Sequence, residues 1–233
     1  QSGLGQTLLI WYQEKERFPL DYFKQRFLWE IKDQGYQEVG SRGFGYWRNF
    51  DYLVESIKFH DLTSESVIAY RYDSASETVE DITTEIKGRI AGYFSQKTKI
   101  DPSNYQVRFS ENAVSSYLAK DGERATFWKS LFPYKNGQFV LIDLSEEKKI
   151  AQIDIDAYNN QDQNEVGFSV YVSKNKDNWE RVFLAKRLPP GESGIISLYF
   201  TPSSTRYVKV VQEGTHPAAA WVVSELNIYE THD

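Results

Sequence analysis

Asp154 and Asp156 alternate with Ile153 and Ile155, so two carboxylates share one face of an extended segment. A carboxylate pair can divide acid and base work. Alternation with isoleucine reads instead as the solvated outer face of a strand whose other side is packed. Asp121 opens a second constellation, in the polar turn Lys120-Asp121-Gly122-Glu123-Arg124-Ala125-Thr126. Such a turn can aim several carbonyls and one carboxylate inward, the oxygen-rich surroundings that calcium takes. The same residues also spell an Asp-Gly turn capped by its own side chain. His60 has no nearby serine, carboxylate dyad or second histidine, and reads as a capping or hydrogen-bonded polar residue rather than a base. Arg42-Gly43-Phe44-Gly45-Tyr46 matches the first five positions of an RNA-binding octapeptide, but Trp47 and Asn49 break the pattern, and a Gly-rich aromatic strand explains it as well. Gly-Lys-Ser/Thr occurs nowhere, so no phosphate-cradling loop of that type is present.

Composition narrows the chemistry further. The 233 residues hold no cysteine, which excludes disulfides, thiolate metal sites and a cysteine nucleophile, and only three histidines. The net charge of −6 argues against a broad electrostatic grip on nucleic acid or on an anionic membrane. With 40% hydrophobic residues and 15% aromatics, the chain can bury a substantial core. It begins at Gln1 and contains no methionine, so it is expected to be a processed protein or a piece of a longer one.

The elements that must position these residues change character near residue 100. Before it, Leu8–Tyr12 is a short apolar run, and Leu20, Phe23, Phe27 and Ile31 mark a helix opened by Pro19. Tyr36–Trp47, Phe50–Phe59 and Val67–Tyr72 read as strands, and Ser76–Phe94 as a second helix with Val79, Ile82, Ile86 and Ile90 on one side. This order predicts a small ferredoxin-like α+β domain over 1–100. The stretch 97–104 is polar, contains Pro102 and reads as a linker. After it come strand-like segments at 139–144, 150–157, 168–173, 181–185, 195–200, 207–211 and 223–229, separated by polar turns, which predict a β-sandwich over 103–233.

Five motifs within 103–233 occur in a fixed order. Asp121-Gly122 with Thr126 and Trp128 resembles an Asp-Gly-x-x-x-Thr-x-Trp loop, and Gly137-Gln138-Phe139 leading to Asp143-Leu144 resembles a Gly-Gln-Trp-aliphatic-Asp-Leu strand. Tyr171-Val172-Ser173 before Trp179, Arg206-Tyr207-Val208-Lys209-Val210, and Ser224-Glu225-Leu226-Asn227-Ile228-Tyr229 are similar to the remaining three. Together they resemble the discoidin, or coagulation-factor type C, fold, which includes the family 32 carbohydrate-binding modules. Phe139 replaces the common tryptophan and Ser145 the usual glycine. The lack of terminal cysteines is closer to the bacterial carbohydrate-binding branch.

The resemblance implies a discoidin-like jelly-roll sandwich and a structural calcium held by Asp121, Thr126, carbonyls between them and Glu225. It also implies a glycan, of galactose or N-acetylhexosamine type, as the ligand. Sugar recognition needs an aromatic face for the C–H patch of a pyranose and polar groups for its hydroxyls. Loops supply such groups while strands supply rigidity. The loop candidates are Phe132, Tyr134, Tyr158, Asn159, Asn160, Asn164, His216 and Trp221; Tyr134, Tyr158, Asn160, His216 and Trp221 lead among them, whereas Trp128 and Trp179 read as core. The expected function is a non-catalytic carbohydrate-binding region of a larger extracellular, glycan-processing or adhesive protein. An architectural, protein-binding module is the alternative; nucleic acid and membrane are not expected partners.

Overall fold

The structure is a computed structural model that describes residues 6–11, 44–46, 67–73, 78–157, 166–188 and 194–232. The helix expected at 20–31, the strand expected at 50–59, and Tyr158, Asn159, Asn160 and Asn164 lie outside the described residues. The chain separates into two units, Gln1–Lys87 and Gly88–Asp233, a division earlier than the polar stretch at 97–104.

In the first unit, β1 (Gln6–Trp11) lies between β2 (Phe44–Tyr46) and β3 (Val67–Asp73), all antiparallel, and β4 (Thr78–Asp81) pairs with the outer edge of β3. The strand β4 occupies residues that helical spacing assigns to the start of the second helix. Pairing of Asp73 with Thr78 and of Tyr70 with Asp81 closes a hairpin there, and helix α1 (Thr83–Phe94) begins only after it. Ladder pairing outweighs the weak helical preference of Thr78 and Val79. Asp81 then accepts the Thr83 N–H at 2.9 Å, which satisfies one unpaired donor of the first turn.

The second unit is a sandwich built on two long strands, β8 (Phe139–Asp156) and β11 (Ile195–Glu213). Their first and last arms pair in register on both sides of a bend, with shifts between Tyr199 and Ser203 and between Thr205 and Tyr207. Ser145, at φ 68°, stands at that bend, where Asp143 accepts its N–H at 2.9 Å. One layer joins the 139–143 arm of β8 to β6 (Gln106–Phe109) and to the 207–211 arm of β11, then β9 (Val166–Ser173) and β10 (Glu180–Leu188). The other layer joins the 150–156 arm of β8 to β13 (Glu225–Thr231), with β5 (Lys97–Lys99) outside it. A third, two-stranded ribbon pairs β7 (Trp128–Pro133) with β12 (Ala220–Val223). Val140, Ile142, Val208 and Val210 of one layer and Ile153, Ile155, Leu198 and Ile228 of the other form one fully buried core. Those are the inward positions of period-two strands.

The polar stretch 97–104 is therefore part of the sandwich. Lys97–Lys99 adds an edge strand, Ile100 donates its N–H to Ile228, and Asp101 caps the turn of Pro102–Asn104. The end of α1 (Thr83–Phe94) also belongs to this unit. A Cβ on Gly92 would lie 2.1 Å from the Phe200 carbonyl oxygen, and one on Gly88 1.7 Å from the Thr201 hydroxyl. Tyr93 packs edge-on to Tyr199 at 4.9 Å, and Lys97 donates to the Gly92 and Tyr93 carbonyls that end the helix. Gly92→Ala must displace strand backbone, whereas Gly88→Ala meets a side chain that can rotate. Gly92→Ala is expected to destabilise by about 1–3 kcal/mol and more than Gly88→Ala, measured by denaturant unfolding; equal effects would refute the close approach at Gly92.

Candidate functional site

Loops gather at the end of the sandwich where β8 starts and β11 ends, and the turn at 120–126 closes over the adjacent end of the β8–β13 layer. Asp156 and Glu225 are cross-strand partners, and both lie on the outer face of that layer, opposite Ile155 and Leu226. The turn is held down at both residues: Glu225 Oε1 accepts the Gly122 N–H at 2.8 Å, and Arg124 Nε donates to Asp156 Oδ2 at 2.5 Å. Inside the turn, Asp121 Oδ1 accepts the Glu123 N–H at 3.0 Å, and the Thr126 hydroxyl donates to Asp121 Oδ2 at 2.7 Å. The Glu123 carbonyl also faces Thr126. Gly122 adopts φ 86°, the left-handed conformation that this tight turn requires.

These contacts separate the two carboxyls electrostatically. At Asp121 partial burial acts upward, but hydrogen bonds from Glu123 and Thr126 outweigh it and hold the acid below its ordinary range. Burial, then the Asp121 charge, pushes Glu225 up. Two acids, the Thr126 hydroxyl and the Glu123 carbonyl lie together in this turn, an oxygen-only set. Among the described residues no group of three or more His, Asp or Glu side chains is placed to hold a metal ion.

Asp154 and Asp156 depart from the sequence expectation of a solvated face: they are 7% and 2% exposed. Gln152 donates to Asp154 at 2.7 Å, and Arg124 neutralises Asp156. Charges buried this far are tolerable because each has a polar or cationic partner. Arg124 has no mark in the sequence pattern beyond a charge in a turn; only the pairing of β8 with β13 brings Asp156 beneath it.

The ligand candidates divide sharply. Trp221 is 0% exposed and cannot offer a stacking face. Its ring packs edge-on against Phe109 at 5.5 Å and Trp128 at 5.4 Å, inside the core, because its side of β12 faces inward. Tyr134 is 6% exposed and lies beneath the rim, with its N–H donated to Ala219 and its carbonyl accepting the His216 N–H. His216 is partly exposed beside it, ring centroids 5.4 Å apart. Its Nδ1 accepts the N–H groups of Ala218 and Ala219 at 3.1 and 2.7 Å, so the proton of the neutral ring sits on Nε2. Phe132, next to Pro133, is 63% exposed and is the open aromatic ring of this rim. Trp128 is core as expected, stacked on Phe109 at 3.7 Å. Trp179 is only half-buried, with the Lys209 ammonium 4.0 Å from its ring centroid.

An antiparallel two-layer sandwich of this kind holds its loops on a rigid base. The F5/8 type C domain model matches residues 97–226, more than half of the chain, and the chain belongs to that family. No curated protein matches it. Similar solved structures include the family 32 module of Clostridium perfringens NanJ in complex with galactose, at 17% identity, with 58% of this chain and 100% of that one covered and a TM-score of 0.47. The module CpGH89CBM32-5 of Clostridium perfringens, in complex with GalNAc-β-1,3-galactose, is 15% identical, with 56% and 99% covered and a TM-score of 0.49. The C-terminal domain of a Bacteroides fragilis chitobiase is 20% identical, with 58% and 100% covered and a TM-score of 0.48.

The burial of Trp221 has a measurable consequence. Trp221→Ala removes a fully buried ring and is expected to cost about 3–5 kcal/mol of stability in urea unfolding, with loss of near-UV circular dichroism. A fully folded variant of unchanged stability would place the ring outside the core.

Proposed function

We propose that residues 88–233 form a non-catalytic carbohydrate-binding module, belonging to an extracellular protein that processes or adheres to glycans. The observation that carries this reading is the rim at 132–134 and 216–219, where the open Phe132 ring lies two residues before Tyr134, whose carbonyl accepts the N–H of His216, itself fixed as an Nε2–H donor. An aromatic face and a neutral N–H donor are what a pyranose presents partners for: an apolar C–H patch and adjacent hydroxyls. Galactose and N-acetylhexosamines are the first ligands to test, on the strength of the motifs shared with family 32 modules.

A shallow site of this kind leaves little surplus after the ligand loses its freedom, so Kd should lie near 0.1–1 mM. Titration by NMR against Phe132→Ala and His216→Ala should show at least a tenfold loss for the first and a smaller loss for the second. A chain that binds no glycan on a broad array would replace this reading with a protein-binding one, for which exposed Val114, Tyr117 and Leu131 would be the natural contact residues.

Calcium is part of the same proposal. The turn and Glu225 fit it: Asp121 and Glu225 supply carboxylate oxygens, Thr126 a hydroxyl, and the turn carbonyls complete a hard-oxygen set. The cation would fasten the turn to β13 and offset the repulsion between the two acids. Without it, Glu225 carries a raised pKa, so its contribution to stability shrinks as pH rises from the unfolded value of 4.5 through the raised folded value. Glu225→Gln should therefore raise the melting temperature slightly in chelator at pH 7 and lower it in millimolar calcium. A variant that shifts stability in the same direction under both conditions would contradict a cation at this turn.

A further inference from the structure

Beneath the same rim, three buried side chains present polar atoms that no protein group satisfies. Gln212 is 0% exposed, and neither its Nε2 nor its Oε1 has a partner in the protein. Gln138 leaves Nε2 unpaired while its Oε1 accepts the Lys135 N–H at 3.2 Å, an arrangement that fixes which way the amide points. Trp221 leaves its indole Nε1 unpaired. The other described core indole, Trp128, donates to the Asn112 carbonyl, so the orphan is particular to this spot.

The register brings the three together. Val211 pairs with Phe139, and one residue further Gln212 donates its N–H to the Gln138 carbonyl at 2.8 Å, while Gly137 donates to the Gln212 carbonyl. Gln138 and Gln212 are thus cross-strand neighbours, and their burial puts both side chains on the inner face of the layer. Phe168 pairs with Gln212 from the other side. The Trp221 ring lies 6.1 Å from Phe168, the cross-strand partner of Gln212, and 5.5 Å from Phe109, whose partner Val140 is two residues from Gln138.

We infer that this cluster is an internal hydration site, binding one or two ordered water molecules between Gln138, Gln212 and Trp221. The three side chains hold five unsatisfied N–H hydrogens against one unsatisfied amide oxygen, a surplus of donors that an oxygen-bearing guest would meet, and water can accept from the indole and an amide while donating to Gln212 Oε1. A buried water makes about three hydrogen bonds, and this group supplies that number. Leaving the groups bare would cost the desolvation of each. Gln138 leads back to Tyr134 and Gln212 on to His216, segments already joined by backbone hydrogen bonds, and the bound water backs that junction from the core side.

The sign of one substitution separates a wet cluster from a dry one. If water bridges the groups, Gln212→Leu strands both the water and the remaining N–H donors, and the melting temperature of the full chain should fall by about 2–4 °C or more. If the cluster is dry, the same change removes an orphan polar group, and stability should stay level or rise, which would overturn the inference. A second readout needs no variant fold: in the unmodified chain, the Trp221 indole proton, assigned by its loss in Trp221→Phe, should show a cross-relaxation peak to a long-lived water. A high-resolution crystal structure should then place an oxygen within about 3.2 Å of both Trp221 Nε1 and the Gln212 amide. Direct bonding between the Gln138 and Gln212 amides, with no such oxygen, would refute it.

Discussion

The pairing of β8 with β11 is the constraint on which the sandwich depends. Both strands run through both layers, and they pair on both sides of the bend near 145–149 and 200–206, with the register shifting at the bend. Because the strands pair on both sides, the apolar residues of the two arms meet across one interior rather than forming two separate patches. The described rim segments 134–138 and 212–219 lead directly into an end of these strands. Gln138 sits one residue before β8, Gln212 lies near the end of β11, and Asp156 closes β8 beneath the 120–126 turn.

The same strand pairing explains why polar chemistry lies so close to the core. The outer face of the β8–β13 layer carries Asp154, Asp156, Asn227 and Glu225 in cross-strand order, and turn 120–126 closes part of it through Arg124 and Gly122. Closing a charged face is costly unless each charge is met, which accounts for the density of hydrogen bonds in that turn. Helix α1 approaches the same strands by a different device, two positions without side chains that let its backbone come near the Phe200 carbonyl and Thr201. A glycine pair one turn apart is helix-weakening in isolation and acceptable here because the contact it permits is made by the whole end of the helix.

The sandwich strands were legible because alternation with a period of two survives in Ile150–Ile155 and Tyr207–Val211, and the turn at Asp121 was legible through its motif. The start of α1 was misplaced, since Val79 and Ile82 fit a helical stripe and only the partner strand β3 reveals that Thr78–Asp81 is extended. Lys97–Lys99 looked like linker for the same reason: an edge strand of polar residues carries no apolar signal, and its hydrogen bonds go to β13, far away in the chain.

What the sequence determined by itself was the class of architecture and the identity of its special turn, because periodicity, turn chemistry and motif order are local properties. Which side of a residue meets solvent was decided only by the tertiary structure. Asp154 and Asp156 alternate with isoleucine as surface residues do, and Trp221 lies in a stretch that reads as loop, yet all three are buried by segments distant in the chain. Burial depends on what covers a face. That cover is supplied by long-range pairing, a property no window of neighbouring residues contains.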